Sequence, residues 1–227
     1  MILVTGDTHG EQARMKYYMD QCGAADWTED DYLIVCGDFG YLFADDLSEH
    51  AFLDDLAGQR WQILFVDGNH ENFPAIFRCP EEEWHGGRVH RIRQNIRHLM
   101  RGQVFEIEGK TFFTMGGAYS IDRALRKEGF DWWEQWELPT QAEYAEAERN
   151  LAAHDHRVDY ILSHTCPQEL IYLMSKSPNV HDVELTAFLS KVSRETEFSH
   201  WYFGHWHEER AFGDKFTLLW YETRRIL

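Results

Sequence analysis

The sequence predicts an α/β fold built as a four-layer αββα sandwich, two mixed β-sheets packed together with helices outside. Three observations carry this expectation. Apolar runs near the start are continuous rather than alternating, as in parallel strands buried on both faces. Helical segments fall between those runs. In the middle of the chain the pattern changes to closely spaced strands that read as antiparallel sheet. No internal repeat or Pro/Ser-rich linker interrupts the 227 residues, so residues 1–227 read as a single domain. A chain of this length buries roughly 70 to 75 % of the surface its unfolded form exposes, so it folds without a disulfide or structural metal.

The first strands fall at Ile2–Thr5, Tyr32–Cys36 and 63–66, with helices over 11–22 and 46–57 between them. Met15, Tyr18 and Met19 on the first helix read as core. From about 89 to 115 the strands crowd together, including Val104–Ile107 and 111–115 joined by a Glu-Gly-Lys turn. A helix over 140–153 opens with Thr140 as N-cap and Glu143 three residues on, the pattern of a capping box. Strand signals return at Tyr160–Ser163, 201–203 and 216–221.

Composition narrows the function classes. The net charge is −17, from 39 acidic and 22 basic residues, which argues against holding extended nucleic acid through its phosphates. A small phosphorylated substrate is not excluded, because screening cuts off surface charge within about 8 Å. Cys22, Cys36, Cys79 and Cys166 are far apart with no CxxC pair, which fits reduced thiols in a cytoplasmic protein. The N-terminal residues lack the pattern of a signal peptide, and no apolar stretch reaches the 18 residues of a membrane span.

Five apolar runs end in a small residue or a short glycine turn and pass at once to side chains able to bind a metal. They deliver Asp7 and His9, Asp38, Asn69 and His70, His164, and finally His205 and His207. Open α/β sheets place their sites beyond the carboxyl ends of strands, so all five segments point to one crevice. Asp7/His9 and His205/His207 are i, i+2 pairs that share a face on extended backbone. Glycine at 6, 37, 68 and 204 permits sharp turns and close approach of the backbone to an ion. Carboxylate, imidazole and amide oxygen suit first-row metals such as Mn, Fe, Zn or Ni, and the lack of thiolate argues against a closed structural zinc site.

The order Asp-x-His, Gly-Asp, Gly-Asn-His-Glu, a lone His and Gly-His-x-His resembles the five blocks of the calcineurin-like metallophosphoesterases, from Asp7 to His207. Gly116-Gly117-Ala118-Tyr119-Ser120-Ile121-Asp122, with Trp132-Trp133 after it, further resembles a bacterial and phage branch of that family. The resemblance implies a metallophosphoesterase fold and two divalent ions per chain, manganese first among the candidates. It implies that Asp7, His9 and His207 hold one ion, that Asn69, His164 and His205 hold the other, and that Asp38 bridges them. Two such ions carry +4 against −2 from Asp7 and Asp38, leaving about +2 to draw in a phosphate.

On the same resemblance, a hydroxide bridging the ions attacks a phosphomonoester or small phosphodiester, and His70 is the general acid beside the leaving oxygen. His70, Asn69 and Arg123 become candidate contacts to the substrate, a small molecule or a phosphoprotein. The chain departs from the pattern where many members carry an acid three residues after the bridging Asp; here Tyr41 stands there. Glu71, Asp45 and Asp46 are the candidate replacements. A catalytically weak metal-binding scaffold of the same fold, a partner-binding module, and a nuclease or cyclic-nucleotide phosphodiesterase are the rival readings.

Three other features have bland readings beside functional ones. His154-Asp155-His156 reads as a solvated helix end in preference to an ion site. Arg88, Arg91, Arg93, Arg97 and Arg101 fit either a phosphate-recognising patch or exposed strand faces. Arg123, Trp132, Trp133 and Trp136 fit either a substrate-facing loop or aromatic packing.

Overall fold

The computed structural model describes residues 1–226. Its first half runs β1 (Ile2–Thr5), α1 (Gln12–Gln21), β2 (Tyr32–Cys36), α2 (Leu47–Ala57), β3 (Gln62–Val66), α3 (Phe73–Phe77), β4 (Glu81–Trp84), β5 (Gly87–Arg93) and β6 (Ile96–Leu99). There follow β7 (Val104–Ile107), β8 (Lys110–Met115), α4 (Glu134–Glu137), α5 (Gln141–Ala153), β9 (Tyr160–Ser163), α6 (Gln168–Leu173) and α7 (Val183–Glu195). The chain closes with β10 (His200–Phe203), β11 (Arg210–Phe212), β12 (Phe216–Leu218) and β13 (Thr223–Arg225).

Among the described residues these strands form two mixed sheets, ordered β13-β1-β2-β3-β6-β5-β4 and β11-β12-β10-β9-β8-β7. Strand side chains alternate between faces, and here each face meets a different layer. Leu3, Leu33, Val35, Ile63 and Phe65 pack with Met15 and Tyr18 of α1 and Phe52, Leu53 and Leu56 of α2. Their neighbours Ile2, Val4, Ile34, Cys36, Leu64 and Val66 turn the other way and meet Phe105, Ile107, Phe112 and Leu162 of the second sheet. Phe113, Met115, Ile161, Trp201 and Phe203 then face α5, α6 and α7. The four-layer αββα sandwich expected from the sequence is therefore present, and burial on both faces is why the strands read as unbroken apolar runs.

The central strands differ from the expectation of one antiparallel region. β5 pairs antiparallel with β6, which lies parallel to β3 in the first sheet, while the β7–β8 hairpin belongs to the second. Short apolar runs carry no label for the sheet they join, so the crossover was not legible. The hairpin turn itself is as read, with Glu108 and Gly109 both at positive φ (50° and 69°), as a two-residue hairpin loop requires. β4 gave no strand signal because its Glu-Glu-Glu-Trp sequence is an edge strand held by charge, with Glu81 at 2.9 Å from Arg88 and Glu82 at 2.9 Å from Arg91.

Those pairs also account for the arginine run. Arg93 meets Asp54 at 2.6 Å, Arg97 lies over the Trp84 ring, and Arg101 is buried against Asp67 at 2.5 Å rather than exposed on a strand face. The segment 216–221 is not one strand: β12 ends at Leu218, and after Trp220 the chain returns to the first sheet, where β13 pairs antiparallel with β1. The capping box at Thr140 and Glu143 is formed. Trp132 and Trp133 are buried, and Trp136 packs edge-on against Phe77, so all three serve packing. All four cysteines are free. Among the described residues no helix is long and apolar enough to cross a membrane.

Candidate metal centre

Three parallel strands of one sheet and two of the other end at the same edge, and the residues after each strand meet there. Asp7 follows β1, Asp38 follows β2, Asn69 and His70 follow β3, His164 follows β9, and His205 and His207 follow β10. Asp7, His9, Asp38 and His207 each offer a ligand atom, all within 4.8 Å of one another. His207 Nε2 is 3.0 Å from Asp7 Oδ2 and 3.1 Å from His9 Nε2. Asp38 stands between this group and a second, with its Oδ2 3.7 Å from His9 Nε2 and 3.4 Å from His164 Nε2. Asn69 Oδ1 is 3.1 Å from the same His164 nitrogen, and the His205 ring lies edge-on to His164 with centroids 5.0 Å apart.

Backbone conformation shows how tightly the site is drawn. His9, Asp38, His205 and His207 all have positive φ (47°, 49°, 71° and 50°), a region non-glycine residues seldom occupy. Such strain persists only where the surroundings over-determine it, and it clusters at functional sites. The glycines do more than turn the chain, as Gly37 does at φ 91°. A Cβ on Gly37 would collide with the His164 ring, one on Gly68 with Asp38, and one on Gly204 with Asp7. They make room for the candidate ligands themselves. The loops are fixed further by hydrogen bonds: the His70 N–H donates to Asp38 Oδ1 at 2.7 Å and the His205 N–H to Asp7 Oδ1 at 2.9 Å. Arg14 donates to the Asp7 carbonyl and to Trp220 O, tying β1 to the C-terminal segment.

The donor set fits divalent cations. His164 Nδ1 lies 2.9 Å from the Cys36 carbonyl, so it carries the proton and donates. In the neutral ring that leaves the Nε2 lone pair facing Asn69 Oδ1 and Asp38 Oδ2, three buried acceptors converging on one point, which a proton on Nε2 or a cation would satisfy. An arrangement of this kind calls for positive charge. Burial opposes ionisation of His164, yet Asp38 and Asp7 outweigh it and lift its pKa to about 10. Burial likewise opposes ionisation of Asp38, but His164, His70 and His9 hold its carboxyl well below the usual range. His205 goes the other way, lowered to about 3 by burial and by His164, which favours a neutral imidazole with a lone pair free for a cation.

His70 sits apart from these acceptors, on the wall of a cavity of about 560 Å³ that opens onto Asn69, His205 and His207 and continues past Tyr119, Lys176 and Trp206. Its pKa is lowered by burial, against an opposing pull from Asp38. None of the three acids considered for the Tyr41 position reaches it. Glu71 is buried and accepts the Phe39 N–H at 2.8 Å, with its pKa pushed to about 8 by burial and by Asp38. Asp45 binds His50 and Arg78, Asp46 caps α2, and the Tyr41 hydroxyl donates to Glu11 O. The acid paired with the His70 ring is Asp122, from the loop after β8, with Oδ2 3.7 Å from Nε2. The segment 116–122 stands out in the sequence, but no local spacing there gives Asp122 a part.

Arg123 is not itself on the cavity wall. It pairs with Glu134 at 3.2 Å and lies over the ring of Tyr119, which does line the cavity. The neighbouring cation Arg126 is the one whose charge reaches His70, and it donates to Ser120 Oγ at 2.9 Å. His154, Asp155 and His156 remain an exposed helix end.

The model of the calcineurin-like phosphoesterases matches residues 1–209. Among solved structures, the phosphopantetheinyl hydrolase of Mycobacterium tuberculosis is similar at 16 % identity and TM-score 0.40, over 97 % of this chain and 89 % of its own. No curated protein matches the sequence.

Proposed function

Because the chain belongs to the calcineurin-like phosphoesterase family, we propose that it hydrolyses a phosphomonoester or small phosphodiester with two divalent ions, manganese first among Mn, Fe, Zn and Ni. The observation that carries this reading is the gathering of Asp7, His9, Asp38 and His207 within 4.8 Å, with Asn69 and His164 adjoining the same Asp38 carboxylate. Asp7, His9 and His207 would hold one ion, Asn69, His164 and His205 the other, and Asp38 both. Bound there, divalent ions supply Lewis acidity and make water acidic enough to deprotonate near neutral pH.

The chain's own side chains supply the rest. Asn69 and His70 line the cavity that would receive the ester. His70, held short of permanent charge by burial, is placed to give a proton to the departing oxygen, a role worth about 10²- to 10⁴-fold. Tyr119, Lys176 and Trp206 form walls for the organic part of the substrate, in a volume that suits a small molecule or a phosphorylated side chain. The charge of −17 disfavours extended nucleic acid as substrate. The return of β13 to β1 supports reading residues 1–227 as one domain.

Initial rates on p-nitrophenyl phosphate and bis-p-nitrophenyl phosphate, each with added Mn, separate monoesterase from diesterase. A single-stranded oligonucleotide tests nuclease activity. Protein purified without chelator should carry close to two equivalents of metal; a chain that binds none and turns over neither ester is a scaffold, and the proposal fails.

A further inference from the structure

We infer that Ser120 and Glu137 are positioning residues that fix which end of the Asn69 amide faces the candidate metal centre. The inference rests on the dinuclear reading above. An amide has two unlike ends, an oxygen able to ligate and an NH₂ that is not. Asn69 is buried, with Oδ1 3.1 Å from His164 Nε2 and Nδ2 donating to Ser120 Oγ at 3.1 Å.

Ser120 has no solvent exposure. Its N–H donates to Glu137 Oε2 at 3.2 Å, and its hydroxyl donates to Glu137 Oε1. A hydroxyl has one proton, and a carboxylate only accepts. The proton of Ser120 is therefore committed to Glu137, and its lone pairs are left to accept from Asn69 Nδ2 and from Arg126 Nη1. A flipped amide would set Oδ1 against those lone pairs with no proton between the two oxygens. It would also aim an NH₂ at His164 and Asp38, where ligand oxygen is needed. In a buried network that mismatch carries the full cost of unpaired polar groups. Glu137 has no contact with the cluster, yet the direction of its hydrogen bonds decides what Asn69 presents to it. Arg101 braces the far side by donating to the Glu137 carbonyl at 3.3 Å.

The test is metal binding rather than turnover. Full-length chain stripped by chelator is titrated with Mn(II), followed by calorimetry and by the electron paramagnetic resonance signal of a spin-coupled pair. Wild type should take up two ions and develop the coupled signal. Ser120→Ala should weaken one ion about 10- to 100-fold, the usual cost of losing a partner that orients a ligand, while the other binds as before. The coupled signal should then appear only at correspondingly higher Mn. Glu137→Gln, nearly the same shape, should weaken the same ion, and it decides the matter alone if Ser120→Ala does not fold.

Unchanged affinity for both ions in the folded variants, or equal loss at both, overturns the positioning role. Fewer than two ions in wild type overturns the dinuclear reading first and takes this inference with it.

Discussion

His70 Nε2 lies 3.7 Å from Asp122 Oδ2, so the acid facing the candidate proton donor comes from the loop after β8 and not from the turn after β2. A carboxylate there favours the protonated imidazole, opposing burial and the Arg126 charge. Asp122→Asn should therefore slow phenyl phosphate, whose leaving group needs a proton, by on the order of 10-fold, a part of what a general acid contributes. The p-nitrophenyl ester should lose much less. A comparison of kcat on the two esters decides it, and equal losses would point to a role for Asp122 in binding.

His70→Gln removes the donor altogether while leaving Asn69 and Asp38 in place. Metal content should match wild type. Turnover of phenyl phosphate should fall by about 10²- to 10⁴-fold, with p-nitrophenyl phosphate again less affected. Loss of metal from this variant would make His70 a ligand instead.

Asp38→Asn removes charge from the residue shared by both groups of acceptors. It should lower the metal content of both sites and abolish measurable turnover, and a chelator should do the same to wild type. Measured metal equivalents with near-normal activity would take Asp38 out of the bridging role.

His90 allows a pH prediction away from the centre. It is buried, 3.0 Å from His98 Nδ1, and burial lowers its pKa from 6.5 to about 4. The unfolded chain then binds the proton more readily than the folded one below pH 6.5. Stability should fall as pH drops from 6.5 toward 4, by up to about 3 kcal/mol from this residue. Urea unfolding of His90→Gln should show a shallower pH dependence over that window. An unchanged slope would assign it to other groups.

Much of the fold was legible because its strands are buried on both sides. Ile2–Thr5 and Tyr32–Cys36 were bounded correctly from unbroken apolar runs alone, and the ligand-bearing turns follow them directly. β4 and β13 were not, since Glu81–Trp84 and Thr223–Arg225 are polar edge strands whose pairing depends on distant partners. The same limit hid Asp122, Ser120 and Glu137. Each acts on a side chain far away in the chain, and no local spacing marks such a relation. Tyr41 showed that the usual acid was missing, but only the folded loops bring Asp122 to within 3.7 Å of His70.

The left-handed backbone at His9, Asp38, His205 and His207 has a consequence for how this molecule can change. Each such residue costs on the order of 1 kcal/mol or more, a noticeable part of the 5 to 15 kcal/mol that keeps a domain folded. Glycine would relieve the tension at any of them and erase a donor atom in the same stroke. Variants selected only for heat resistance would therefore be drawn toward blunting this crevice, and hardening that leaves it intact has to be sought in the outer helices.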